Sequence, residues 1–172
     1  MIAAVHGRTA AIRLLAELRA DVHKPRNDGG RPSHDAAGCG HLDTARLLLQ
    51  LRADVNAQDD GGRTACYVAA FDGHDRVVRV LVTARASFIA NNNGTTPVYA
   101  AAQNGHERVI VTLARARASI DQEHTSGTTP IATAAGGKHE VVVRLLAHLG
   151  SRLLKPNGNG FWLNYQDDDA RH

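Results

Sequence analysis

A Gly-His pair at Gly40-His41, Gly73-His74 and Gly105-His106, continued as Lys138-His139, recurs at steps of 33, 32 and 33 residues and organises nearly the whole chain. A fixed period of that length restricts the fold to a stack of similar units, each too small to bury a core alone and stabilised by its neighbours. A chain of this kind is expected to bind rather than to catalyse.

Superposing the units extends the match on both sides of the pair. Ahead of it lie Arg31-Pro32-Ser33-His34-Asp35-Ala36-Ala37, Thr64-Ala65-Cys66-Tyr67-Val68-Ala69-Ala70, Thr96-Pro97-Val98-Tyr99-Ala100-Ala101-Ala102 and Thr129-Pro130-Ile131-Ala132-Thr133-Ala134-Ala135. Behind it come runs with apolar residues at helical spacing, such as Ala45, Leu47, Leu48 and Leu49, or Val77, Val78, Val80 and Leu81. The runs end in Arg19-Ala20-Asp21-Val22, Arg52-Ala53-Asp54-Val55, Arg85-Ala86-Ser87-Phe88 and Arg117-Ala118-Ser119-Ile120. Turns follow at Asn27-Asp28-Gly29-Gly30, Asp59-Asp60-Gly61-Gly62, Asn92-Asn93-Gly94 and Thr125-Ser126-Gly127.

Elementary chemistry accounts for the pattern. A Thr-Pro step suits a helix start, because the hydroxyl accepts an orphan backbone N–H and Pro at the first helical position loses no hydrogen bond. Paired alanines let that helix lie close to its neighbours. The Gly before each His permits the left-handed backbone that ends one helix before the next runs back antiparallel. Helices of roughly eight to eleven residues are marginal in water and need the adjacent unit to bury their apolar faces.

The pattern resembles the ankyrin repeat, whose signature is a Gly turn, Thr-Pro-Leu-His, Ala-Ala, Gly-His, a Val/Leu-rich helix and Gly-Ala-Asp-Val-Asn. The resemblance covers about Ala3 to Pro156. It implies an all-α, ankyrin-type solenoid of antiparallel helix pairs joined by projecting turns or hairpins. The repeats then fall at about 1–25, 26–58, 59–90, 91–123 and 124–156, with a degenerate cap and frayed tail over 157–172. The first unit lacks its turn and Thr-Pro step, so the chain is expected to be a fragment or one end of a longer array. Phe161, Trp162 and Tyr165 either seal the last repeat or form an exposed aromatic motif for a partner.

Most chemical functions find no support in the residues. Four histidines in register, His41, His74, His106 and His139, sit in units about 10 Å apart. A single ion needs ligands at about 2 Å, so they cannot share a metal. Each is expected instead to hydrogen-bond a turn near the start of the second helix. His34 and the Thr64/Tyr67 and Thr96/Tyr99 pairs read as helix-start packing. Ser33-His34-Asp35 are consecutive on a helix and point in different directions, so they form no hydrolase triad. The paired glycines lack the Lys-Ser/Thr of a phosphate loop. No cofactor, metal, small-molecule substrate or catalytic residue is expected, and the chain reads as a non-enzyme. The 172 residues include only two cysteines, Cys39 and Cys66, without disulfide or metal spacing. The start has no secretion signal and no run approaches a membrane span, so cytoplasm, or the nucleus, is the expected location.

Arginine marks the main departure from the resembled family. Arg19, Arg52, Arg85 and Arg117 stand where a Gly usually ends the second helix, at about 1 kcal/mol each if the backbone there stays left-handed. A second row, Arg13, Arg46, Arg79 and Arg144, lies earlier on the same helices, with Asp43, Asp75 and Glu140 placed to pair with the last three. Lys138 likewise stands at the fourth Gly, just after Gly136 and Gly137. A formal charge of +3 is too small to announce nucleic-acid binding.

The resemblance implies a protein-binding scaffold or adaptor, expected to be monomeric, that meets its partner with its turn tips and concave first-helix face. The implied contact residues are Asn27, Asp28 and Gly30; Asp60, Arg63, Phe71 and Asp72; Asn92, Asn93, Thr95, Gln103 and Asn104; and Thr125, Ser126 and Thr128. Phe71, an apolar ring among Asp60, Arg63 and Asp72, has the make-up of an anchor, or else lies flat on Tyr67. The alternatives are an anion-binding scaffold for an acidic protein segment, anionic lipid or RNA, using Arg19, Arg52, Arg85 and Arg117, or a targeting array detached from a larger enzyme or channel.

Overall fold

A computed structural model of the protein describes residues 2–150. Among them the chain forms α1 (Ile2–Val5), α2 (Thr9–Glu17), α3 (Pro32–Gly38), α4 (Leu42–Gln50), α5 (Ala65–Phe71), α6 (Asp75–Thr83), α7 (Pro97–Gln103), α8 (Glu107–Arg115), α9 (Pro130–Gly136) and α10 (Glu140–His148). Odd-numbered helices stack in one layer and even-numbered helices in a second, so the chain is an all-helical solenoid of antiparallel pairs. Met1 and the 157–172 cap, with Phe161, Trp162 and Tyr165, lie outside the described residues.

The first helix of each complete pair spans seven residues and the second nine, which explains why neither is stable alone. Thr64, Thr96 and Thr129 accept the N–H of Tyr67, Tyr99 and Ala132 as N-caps, as a Thr at the helix start predicts. Arg31 has no such oxygen at its helix start. There the relation is reversed, with the Arg31 N–H donated to His34 Nδ1 at 3.1 Å.

Packing repeats with the sequence period. Ala36, Ala69, Ala101 and Ala134 bring the first-layer helices together, and all are fully buried. Leu48, Leu81, Leu113 and Leu146 hold one second-helix slot at 0–3% exposure, each contributing about 1.5–3 kcal/mol of apolar burial. Leu15 occupies the same slot in α2 and is 41% exposed, because no described residue lies on its far side. Cys66 fills the slot of Val98 and Ile131 as a core thiol, with burial pushing its pKa up to about 12.

The left-handed positions carry the connections. Gly40, Gly73 and Gly105 have φ of 71°, 79° and 75°, and Lys138 follows them at 61° rather than handing the role to Gly136 or Gly137. Arg19, Arg52, Arg85 and Arg117 are also left-handed, at 58–64°. Each arginine closes a Schellman motif: Arg52 N–H bonds Leu49 C=O and Ala53 N–H bonds Leu48 C=O, both at 2.9 Å. The motif satisfies carbonyls that the helix end leaves unpaired.

The histidine row does something the local expectation missed. His41, His74, His106 and His139 do not bond their own turns. Their Nε2 atoms lie 2.8–3.0 Å from the carbonyls of Val5, Gly38, Phe71 and Gln103, each in the preceding repeat. A carbonyl only accepts, so Nε2 carries the proton and donates. The same rings lie over the glycines of the preceding repeat: a Cβ on Gly7, Gly40, Gly73 or Gly105 would come within 2.6 Å of an imidazole Nδ1. Gly and His therefore cooperate across each joint, not within one pair.

His34 supplies a pH dependence. It is 4% exposed, with Nδ1 accepting from Arg31 N–H and Nε2 facing Arg63 C=O at 2.9 Å. Burial lowers its pKa below the usual 6.5, and protonation would replace its Nδ1 acceptor with a second donor. The unfolded chain then binds the proton first, so this contribution is complete above pH 6.5 and is lost as pH falls through the lowered folded value. His34→Gln keeps one acceptor and one donor without titrating. Urea melts of the two proteins should diverge in slope with pH only below about 6.5, and parallel profiles there would remove His34 from the account.

Candidate functional site

The turns are built on one position per repeat. Asp59 Oδ1 accepts the N–H groups of Gly61 and Arg63 at 3.0 and 2.9 Å, and Asn91 Oδ1 does the same for Asn93 and Thr95. His124 Nδ1 takes the N–H of Ser126, and its ring stacks on Tyr99 at 5.2 Å. Arg26 occupies the same slot but cannot accept. Asp28 takes over, receiving Gly30 N–H and Arg26 Nε at 3.0 Å, and its pKa is lowered by the Gly30 amide first and Arg26 second. The sequence reading missed these turn acceptors, although an Asp or Asn two residues before a Gly is their usual sign.

The tips are joined into a rim. Asp60 N–H bonds Asp28 C=O at 3.1 Å, Asn92 N–H bonds Gly61 C=O at 3.0 Å, and Thr125 Oγ1 donates to Asn93 C=O at 2.9 Å. Inter-repeat bonding of this sort fixes the spacing at which the tips present side chains.

Within that frame the predicted contact residues separate. Asn27, Asp28, Asp60, Arg63, Phe71, Asp72, Asn92, Asn93, Gln103, Thr125 and Ser126 are exposed. Thr95 is not available: it is 8% exposed and its backbone is tied to Asn91 in both directions, so it belongs to the scaffold. Asn104 is half-buried and spends its side-chain N–H on Ala100 C=O, while Thr128 is half-buried against Ser126. Gly30 is buried. Arg63 is exposed but committed, with Nε 2.7 Å from the buried Asp59 carboxylate. Among the described residues no hydrogen bond or ion pair engages the side chains of Asn27, Asp60, Asp72 and Gln103.

Phe71 ends α5 in the first-helix layer and combines the two expectations. Its ring stacks on Tyr67, centroids 6.4 Å apart at 22°, yet stays 42% exposed. The equivalent position one repeat earlier is Gly38, where a Cβ would come within 2.9 Å of Val68. The ring thus stands beside a step in the surface with Asp72 and Gln103 at its margin. That arrangement can bury an apolar group and orient a polar one.

Arg26 also covers a buried carboxylate. Asp35 Oδ1 lies 3.0 Å from Arg26 Nη1, while Oδ2 is buried without a partner. Burial raises its pKa, with Arg26 acting in the opposite direction.

The second helices are followed by Arg19, Arg52, Arg85 and Arg117, all exposed and, among the described residues, none in an ion pair. In the second arginine row Arg79 pairs with Asp75 at 2.9 Å and Arg46 only loosely with Asp43 at 3.6 Å. Among the described residues no group of three or more His, Cys, Asp or Glu is placed to hold a metal, and no helix is long and apolar enough to cross a membrane.

Against known proteins, the family model described as ankyrin repeats (3 copies) matches residues 1–59 and 53–124. No curated protein matches the chain.

Proposed function

Since the chain belongs to the ankyrin repeat family, whose members are generally protein–protein interaction modules, we propose that it is a non-catalytic scaffold or adaptor that grips one protein partner on its concave face. The observation that carries this reading is Phe71, held at 42% exposure on Tyr67 within a margin of unengaged polar side chains. A partly exposed, pre-positioned aromatic loses little freedom on binding, and such residues dominate interface energetics. The contact set we propose is Asn27, Asp60, Phe71, Asp72 and Gln103, with Asn92, Asn93, Thr125 and Ser126 along the rim. The repeat boundaries stated above, a monomeric state and a cytoplasmic or nuclear location go with this proposal. An exposed free Cys39 suits a reducing compartment.

Phe71→Ala tests it. A partner captured by the wild-type chain should bind this variant at least about 30-fold more weakly, the loss typical of an interface anchor. Its stability should change by less than about 1 kcal/mol, because the ring is not in the core. Arg63→Ala is a poor companion, since it releases Asp59 and disturbs the turn; Asp72→Asn leaves the scaffold intact. Partners that bind Phe71→Ala and Asp72→Asn as tightly as the wild type would place the interface elsewhere.

A further inference from the structure

The outward side of the solenoid holds a feature that the concave reading does not use. Between α4 and α6 runs a groove lined by Leu42, Arg46, Arg76, Arg79, Val80 and Thr83. Arg46 and Arg79 hold equivalent positions in consecutive repeats, about 10 Å apart, and Arg76 lies one helical turn before Arg79. Three guanidinium groups therefore surround one apolar floor made by Leu42 and Val80, both half-buried.

Their charge is only partly answered. Arg46 meets Asp43 at 3.6 Å, beyond hydrogen-bond reach, with both groups more than half exposed. Asp75 holds Arg79 Nε at 2.9 Å and shares its other oxygen with the Thr112 hydroxyl, so it has little capacity for a second guanidinium. Among the described residues Arg76 has no ion-pair or side-chain hydrogen-bond partner. Thr83 donates its hydroxyl to Arg79 C=O and so cannot donate to a ligand. The groove thus offers N–H donors from three arginines and no competing hydroxyl donor.

We propose that this groove binds a phosphorylated peptide segment, with the phosphate among Arg46, Arg76 and Arg79 and a flanking apolar side chain on Leu42 and Val80. A phosphate monoester carries close to two charges and three acceptor oxygens, which matches several planar guanidinium forks better than a single carboxylate does. The other anionic classes fit less well. No aromatic ring lines the groove on which a nucleic-acid base could stack, and a recess between two helices gives a flat lipid surface few contacts. The groove is lined by second-layer helices α4 and α6 and does not include Phe71 of α5, so the proposal does not rest on the concave-face reading.

The test is a titration of the full isotope-labelled chain with a capped Leu-Ala-phosphoserine-Ala-Leu peptide. Parallel arms use the unphosphorylated peptide, inorganic phosphate and phosphatidylserine vesicles. The phosphopeptide should shift amide resonances over residues 42–46 and 76–83 and bind at least about tenfold more tightly than its unphosphorylated form, with inorganic phosphate weaker than the peptide. Arg76→Gln/Arg79→Gln should remove at least about tenfold of that affinity. Arg52→Gln/Arg85→Gln, which loses the same charge elsewhere, should leave it within about twofold. Equal loss in both double variants would mean diffuse electrostatics and overturn the proposal. So would shifts away from the groove, equal binding of the two peptides, no binding, or binding to the vesicles alone.

Discussion

Gly73→Ala will destabilise the array by about 2–4 kcal/mol, far more than a Gly-to-Ala change on an ordinary helix. Two costs coincide at this residue. Its φ of +79° is a conformation that a Cβ disfavours, and the new methyl would lie within 2.6 Å of His106 Nδ1. The ring cannot retreat without releasing Phe71 C=O, to which its Nε2 is bonded at 2.9 Å. His106→Ala alone should cost about 1–2 kcal/mol, from the lost bond and a carbonyl left short of a partner. The double variant should cost less than the sum of the two, since removing the ring also removes the clash. Urea denaturation of the four proteins measures this coupling directly. Strict additivity would show that Gly73 is required for its dihedral angle alone and that the ring lying over it adds nothing to that requirement.

Arg52→Gly, Arg85→Gly and Arg117→Gly together will stabilise the protein by about 1–2 kcal/mol, a rare gain from deleting three large side chains. Each arginine sits at φ 63–64°, where a residue with a Cβ is strained by about 1 kcal/mol and glycine is not. Part of that relief is offset by the greater freedom of glycine in the unfolded chain. The three positions are in separate repeats and share no partner, so their effects should add. Arg52→Gln, Arg85→Gln and Arg117→Gln separate strain from charge. They remove the same three charges from a formal +3 and keep the strain, so they should leave the urea midpoint nearly unchanged. If the glutamine set is stabilised as much as the glycine set, like-charge repulsion and not backbone strain is the cause.

These two results bear on how much of the molecule could be read in advance. The helix pairs, the Thr caps at Thr64, Thr96 and Thr129, the left-handed glycines and the left-handed arginines all follow from residue type and period. Each is a local backbone event whose chemistry lies within a few neighbours. The partner of each imidazole was not legible, because Phe71 C=O and His106 are 35 residues apart and nothing in a local window connects them. The candidate site divides the same way. Phe71 stands out as an apolar residue in a polar context, whereas Thr95 and Arg63 look like surface residues until the turns fold and Asn91 and Asp59 claim them. Nothing in the local sequence marks Arg76 either. Only the packing of α6 on α4 puts it in one groove with Arg46 and Arg79.

The amino-acid sequence by itself determined the architecture, since a unit of about 33 residues with two short amphipathic helices has no stable alternative to stacking. It also determined where the chain must turn left-handed, at glycine and at the arginines that replace it. The tertiary structure decided which of those residues hold the joints and which polar side chains remain unengaged. Burial and hydrogen bonding between repeats depend on atoms that are distant in the chain, and a carboxylate such as Asp59 is free or spoken for only once its neighbours are in place.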